Sequence, residues 1–136
     1  MRWSDFIDQV RQSGMYDTRD EAERVTRAVL AAVGGQLAEP ERRRLATALP
    51  TEAGPLLSER PATRPAATRP ATAAEFVADV AARTEGATAA TARWDVGSVL
   101  TVLATSAPDD LVTRLVDALP EGFALLFGRA QLTTAA

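Results

Sequence analysis

Apolar positions recur at spacings of three and four along most of the chain, in two sets displaced by 70 residues. Phe6 and Val10 pair with Phe76 and Val80, Ala22 with Ala92, Val29-Leu30 with Val99-Leu100, and Val33 with Leu103. Leu45, Leu49 and Pro50 pair with Leu115, Leu119 and Pro120, and Thr18 and Arg44 pair with Thr88 and Arg114. Spacings of three and four put side chains on one face of a helix. A fixed offset without gaps marks a duplicated unit. The shared positions are mostly apolar, so the duplication repeats packing rather than chemistry. The expected fold is all-α: two pseudo-symmetric repeats of about four helices each, packed as a helical bundle. The expected organisation is a first repeat over 1–58, a linker over 59–74, a second repeat over 75–130 and a disordered tail over 131–136.

Start and stop signals place the helices. Ser4 is a candidate N-cap for a first helix that carries Phe6 and Val10 and ends at Gly14. Thr18-Arg19-Asp20-Glu21 reads as a capping box, opening a long helix to about Leu37 that Gly34-Gly35 could shorten. Pro40 suits the first turn of a third helix anchored by Leu45 and Leu49 and closed by Pro50. A short fourth helix over 51–57 is expected to be broken at Gly54-Pro55. In the second copy, Thr72 to Glu75 forms another capping box ahead of Phe76 and Val80, and Gly86 ends that helix. A long helix follows over 88–105, then one begun by Asp109-Asp110, and a last short one from Glu121 to Phe127.

Residues 59–74 contain the triplet Arg-Pro-Ala three times, which favours extended chain and forbids a long helix. A semi-rigid spacer is the simpler reading; a docking motif for an aromatic groove or acidic partner is the alternative.

The chain has no Cys and no His, which removes thiol chemistry, the commonest general base and the commonest metal ligand. A net charge of −3 argues against a general nucleic-acid binder. The basic residues are all Arg, a bias that fits a GC-rich bacterial genome. No signal-peptide run or membrane-length apolar window is present, so a cytoplasmic location without membrane insertion is expected. Phosphate-binding loops, nucleophile motifs and dinucleotide fingerprints are missing, so no catalysis, cofactor or metal is expected.

The repeated plan resembles a bacterial family known as domain of unknown function 2267. Phe6 and Val10, the run from Glu21 to Leu30, and Leu45, Leu49 and Pro50 carry the likeness in the first copy. Phe76, Val80, Val99-Leu100, Leu115 and Leu119-Pro120 carry it in the second. Arg93-Trp94-Asp95 departs from Glu23-Arg24-Val25. The resemblance implies an all-helical fold and brings no activity, cofactor or catalytic residue.

Three groups are candidates for chemistry. Arg42-Arg43-Arg44 is the densest basic cluster and could contact an anion, although consecutive helical residues point about 100° apart. Asp109, Asp110, Asp117 and Glu121 could suggest a cation site, but Asp109-Asp110 is better explained as helix-start charge. Asp95 stands where the first copy has Val25, so it needs either a buried partner or a small helix rotation that turns Val96 inward. The rotation is the preferred expectation. Finally, the last helices of the second copy are apolar over more than one face. Val112, Val116, Phe123 and Leu125 are therefore expected to form an exposed patch for a protein partner or a homo-oligomer. The expected function is a non-catalytic interaction or scaffolding module. The alternative is a regulatory nucleic-acid or anionic-ligand binder using Arg42 to Arg44.

Overall fold

A computed structural model of the 136-residue chain describes residues 2–37, 39–57, 73–84 and 86–118. These fold into seven α-helices: α1 (Trp3–Gly14), α2 (Arg19–Gln36), α3 (Glu39–Ala48), α4 (Ala53–Leu57), α5 (Ala73–Arg83), α6 (Ala89–Ser106) and α7 (Asp109–Ala118). No strand occurs among the described residues, and the fold is all-α. The bounds of α2 and α6, and of α3 and α7, differ by the 70 residues of the sequence register.

The two 18-residue helices, α2 and α6, form the centre. α2 packs against α1, α4, α5 and α6, which is why residues 28–34 of it are buried without interruption. Ala31 and Ala32, each 1% exposed, keep the centre of α2 narrow where its neighbours pack. α1 packs on both α2 and α6, α5 on α6 and α2, and α3 on α4 and α7. Phe6 and Phe76 are fully buried in one continuous core with Val29, Leu30, Leu45, Val99 and Leu100. Each such side chain contributes roughly 1.5–3 kcal/mol over an exposed one.

The capping threonines do their work. Thr18 Oγ1 accepts from the Glu21 amide at 3.2 Å, and Thr88 Oγ1 accepts from the Thr91 amide at 3.1 Å. α1 begins two residues earlier than a Ser4 cap would place it, with Arg2 at the N-cap, because the Asp5 carboxylate accepts from the Arg2 amide at 3.3 Å and closes the first turn. α2 runs through Gly34-Gly35 to Gln36. Gly34 permits α4 to approach α2 closely: a Cβ there would lie 1.9 Å from the Leu57 carbonyl oxygen. α4 includes Gly54-Pro55 rather than breaking there, since Pro55 falls in its first turn, where no amide donor is needed. α5 starts at Ala73, so two residues read as linker belong to a helix. The rest of that linker, the expected helix over 121–127 and the tail over 131–136 lie outside the described residues, as does the Thr72 cap.

Among the described residues, no helix is long and apolar enough to cross a membrane.

Candidate functional site

The turn after α1 is built to bring an aromatic ring onto α6. Met15 takes the left-handed conformation, φ 57°, and reverses the chain, with the Tyr16 amide donating to the Arg11 carbonyl at 3.0 Å. Gly14 leaves room for the Tyr16 ring, since a Cβ at position 14 would fall 2.2 Å from Tyr16 Cε2 and 2.9 Å from Ser98 Oγ. The Tyr16 hydroxyl then donates to Asp95 Oδ1 at 2.5 Å. Beside it, Trp94 Nε1 donates to the Gly14 carbonyl at 2.9 Å while the indole stays 55% exposed.

Asp95 is thus a buried carboxylate with a partner, not a residue rotated out of the core. Val96 faces inward as expected, but Asp95 stays buried beside it, which corrects the expectation that Asp95 is turned out of the core. Burial pushes the Asp95 carboxyl above the ordinary aspartate range; the Tyr16 hydrogen bond opposes this and the Glu21 charge adds to it. Burial, followed by the hydrogen bond and charge of Asp95, raises the Tyr16 phenol well above the usual tyrosine range. The proton therefore stays on the phenol, and the pair acts as a tie between the α1–α2 turn and α6.

Tyr16 and Asp95 stand at one end of an open cleft of about 830 Å³ between α2 and the α5–α6 turn. Val25, Ala28, Ala31 and Leu56 contribute its apolar lining, and each is at most 9% exposed. Arg24, Arg27 and Arg83 line it too, with Glu21 and Asp95 as the acids. Arg27 holds Glu23 at 2.9 Å and Arg83 holds Asp79 at 3.3 Å, whereas Arg24 is exposed. Glu23 also accepts from Trp3 Nε1 at 3.2 Å, and the Arg27 and Trp3 hydrogen bonds keep its carboxyl below the ordinary range.

Asp95 alone of the candidate residues singled out in the sequence lines this cleft; Arg42 to Arg44 lie on α3, and Asp109, Asp110, Val112, Val116 and Asp117 on the adjoining α7. Arg42 donates to the Gly34 carbonyl at 3.2 Å and the Leu37 carbonyl at 2.9 Å, capping the end of α2. Arg43 pairs with Glu39 at 3.1 Å, and Arg44 is exposed, so the run is not one free basic patch. Val112 is fully buried, which corrects the expectation that it faces solvent, and Val116 is partly buried against the core. Leu111 and Val112 of α7 pack inside the chain. Phe123 and Leu125 lie outside the described residues, as does Glu121. No three described carboxylates gather into a possible metal site.

Tyr16 escaped the sequence reading because nothing local announces its partner 79 residues away. The available signal was its uniqueness, a lone tyrosine in a turn, and the carboxylate at an otherwise apolar helical position.

The chain is thus an all-α bundle whose described surface offers a mixed apolar and arginine-lined cleft. The family model described as "Uncharacterized conserved protein (DUF2267)" matches residues 3–126, and the chain belongs to that family. Among curated proteins, none matches it.

Proposed function

We propose that this protein is a non-catalytic interaction module that binds a protein partner in the cleft between α2 and the α5–α6 turn. The observation that carries the reading is the cleft itself: an apolar lining from Val25, Ala28, Ala31 and Leu56 beside three arginines and the exposed Trp94. Exposed aromatic and arginine side chains around an apolar centre are the composition that protein interfaces favour. A cytoplasmic, bacterial setting suits a chain rich in Arg and Ala without Cys. Nucleic-acid binding gains no support, because Arg42 and Arg43 are engaged within the chain.

Affinity capture with the wild-type chain and with Ala90→Trp, run in parallel, tests this. Ala90 lines the cleft and is exposed, so the indole obstructs the site without entering the core. A partner retained by the wild type and lost with Ala90→Trp is expected. Identical partner sets for the two would contradict the cleft as the binding site.

A further inference from the structure

We propose that the Gly86 end of the cleft receives a phenylalanine side chain from an acidic segment of the partner protein. The inference rests on the cleft being the partner site and specifies what enters it. In the 70-residue register Tyr16 corresponds to Gly86, and Asp95 to Val25. Both turns precede a capping threonine, Thr18 or Thr88, by two residues and lead into 18-residue helices. In the first turn a tyrosine ring fills the space against Asp95. In the second, Gly86 carries no side chain, and a Cβ built there meets nothing within 4 Å. Gly86 also holds φ 78°, a conformation that a tyrosine or phenylalanine at this position would adopt only with strain. The left-handed residue comes one register position later than Met15 does in the first turn, which sets the second turn up to lack a ring.

Gly86 and Val25 both line the cleft, as Tyr16 and Asp95 do. One side of the duplication carries its own aromatic group and the other offers space where that group would be. The chemistry of the missing ring follows from Val25. Asp95 accepts the Tyr16 hydroxyl, but a valine accepts nothing, so a phenol facing it would bury an unpaired hydroxyl. A phenyl ring suits Val25 and Ala28 better. Charge selects the flanking residues. Arg24 stands next to Val25 on α2, while Arg27 and Arg83 hold Glu23 and Asp79, and Glu21 acts electrostatically on the Tyr16–Asp95 end. Arg24 is exposed and available to a carboxylate on either side of the inserted ring.

The probe is a Glu-Glu-Phe-Glu-Glu peptide added to the full ¹⁵N-labelled chain, with amide shifts followed at Gly86, Ala87 and Val25. Saturable shifts at these positions are expected. The peptide with Ala in place of Phe should bind about tenfold weaker or worse, from the lost burial of the ring. The Tyr peptide should fall between the two, and Lys-Lys-Phe-Lys-Lys should bind weakest. Arg24→Glu should weaken the acidic Phe peptide while leaving the helical spectrum unchanged. Equal binding of the Phe and Ala peptides, or preference for the lysine-flanked one, overturns the proposal. So does the absence of shifts at Gly86 at millimolar peptide. In that last case, Ala90→Trp still abolishing capture of a protein would show that the cleft is the partner site and that its occupant has different chemistry.

Discussion

The turn before α2 and the turn before α6 stand 70 residues apart and each leads through a capping threonine into an 18-residue helix, yet one is filled and the other is not. At the first, Gly14, Tyr16, Trp94, Asp95 and Ser98 interlock through a ring contact and two hydrogen bonds that span about eighty residues of chain. At the second, Gly86 and Val25 face the cleft with neither ring nor carboxylate. α1 accordingly packs more extensively on α6 than α5 does on α2. The difference lies in two side chains at positions 70 residues apart in the sequence. The helices and caps repeat, and a change of two side chains turns one junction into a fastening and leaves the other as surface.

The largest effect is expected where the cleft's lining depends on backbone contact. Leu56 reaches the cleft because α4 lies directly on Gly34. Gly34→Ala would put a methyl group into the Leu57 carbonyl and should cost about 3 kcal/mol in denaturant unfolding, through overpacking. Gly35→Ala is the control: nothing lies within 4 Å, and the better helix former should stabilise by roughly 0.5–1 kcal/mol.

Removing the fastening comes next. Tyr16→Phe keeps the ring and leaves Asp95 buried without its donor, at a cost of about 2 kcal/mol near neutral pH. Exchange of amides in the α1–α2 turn should rise with it. A loss no larger than that of an exposed substitution such as Ser4→Ala would mean that the tie is not a structural one.

A smaller effect concerns pH. Because the Asp95 carboxyl is raised in the folded chain, the folded state holds that proton more tightly than the unfolded state does. Its stabilising protonated form is fully present below the ordinary aspartate value of 3.8 and is lost as pH rises through the elevated folded value. The stability of the wild type relative to Asp95→Asn should therefore decline across that interval and level off above it. A difference that rises with pH, measured by urea unfolding from pH 3 to 8, would reverse the assigned cause.

Much of the fold could be read from the sequence because local rules decide it. Thr18 and Thr88 cap where they stand next to their own helices, and the stripes through Val29-Leu30 and Val99-Leu100 have no other face to bury. The site was hidden for the opposite reason. The Tyr16–Asp95 bond joins distant segments, the Arg42 caps depend on how the chain turns between α2 and α3, and Gly34 matters only because Leu57 arrives there. Val112 looked like surplus apolar surface until α7 was placed against the core; composition along one helix does not say how many neighbours that helix has.

The contrast between the two junctions can be measured at one pair of positions. Ala28 and Ser98 correspond in the 70-residue register; Ala28 lines the cleft, whereas Ser98 sits against Gly14 beside Tyr16. Placing leucine at each and comparing unfolding free energies asks directly which side has room. Ala28→Leu should extend into the cleft and leave stability within about 0.5 kcal/mol of the wild type, or raise it. Ser98→Leu should lose about 2–3 kcal/mol, because the ring and the glycine already occupy its space. Equal losses at both positions, or the larger loss at Ala28, would contradict the distinction between a filled and an open junction.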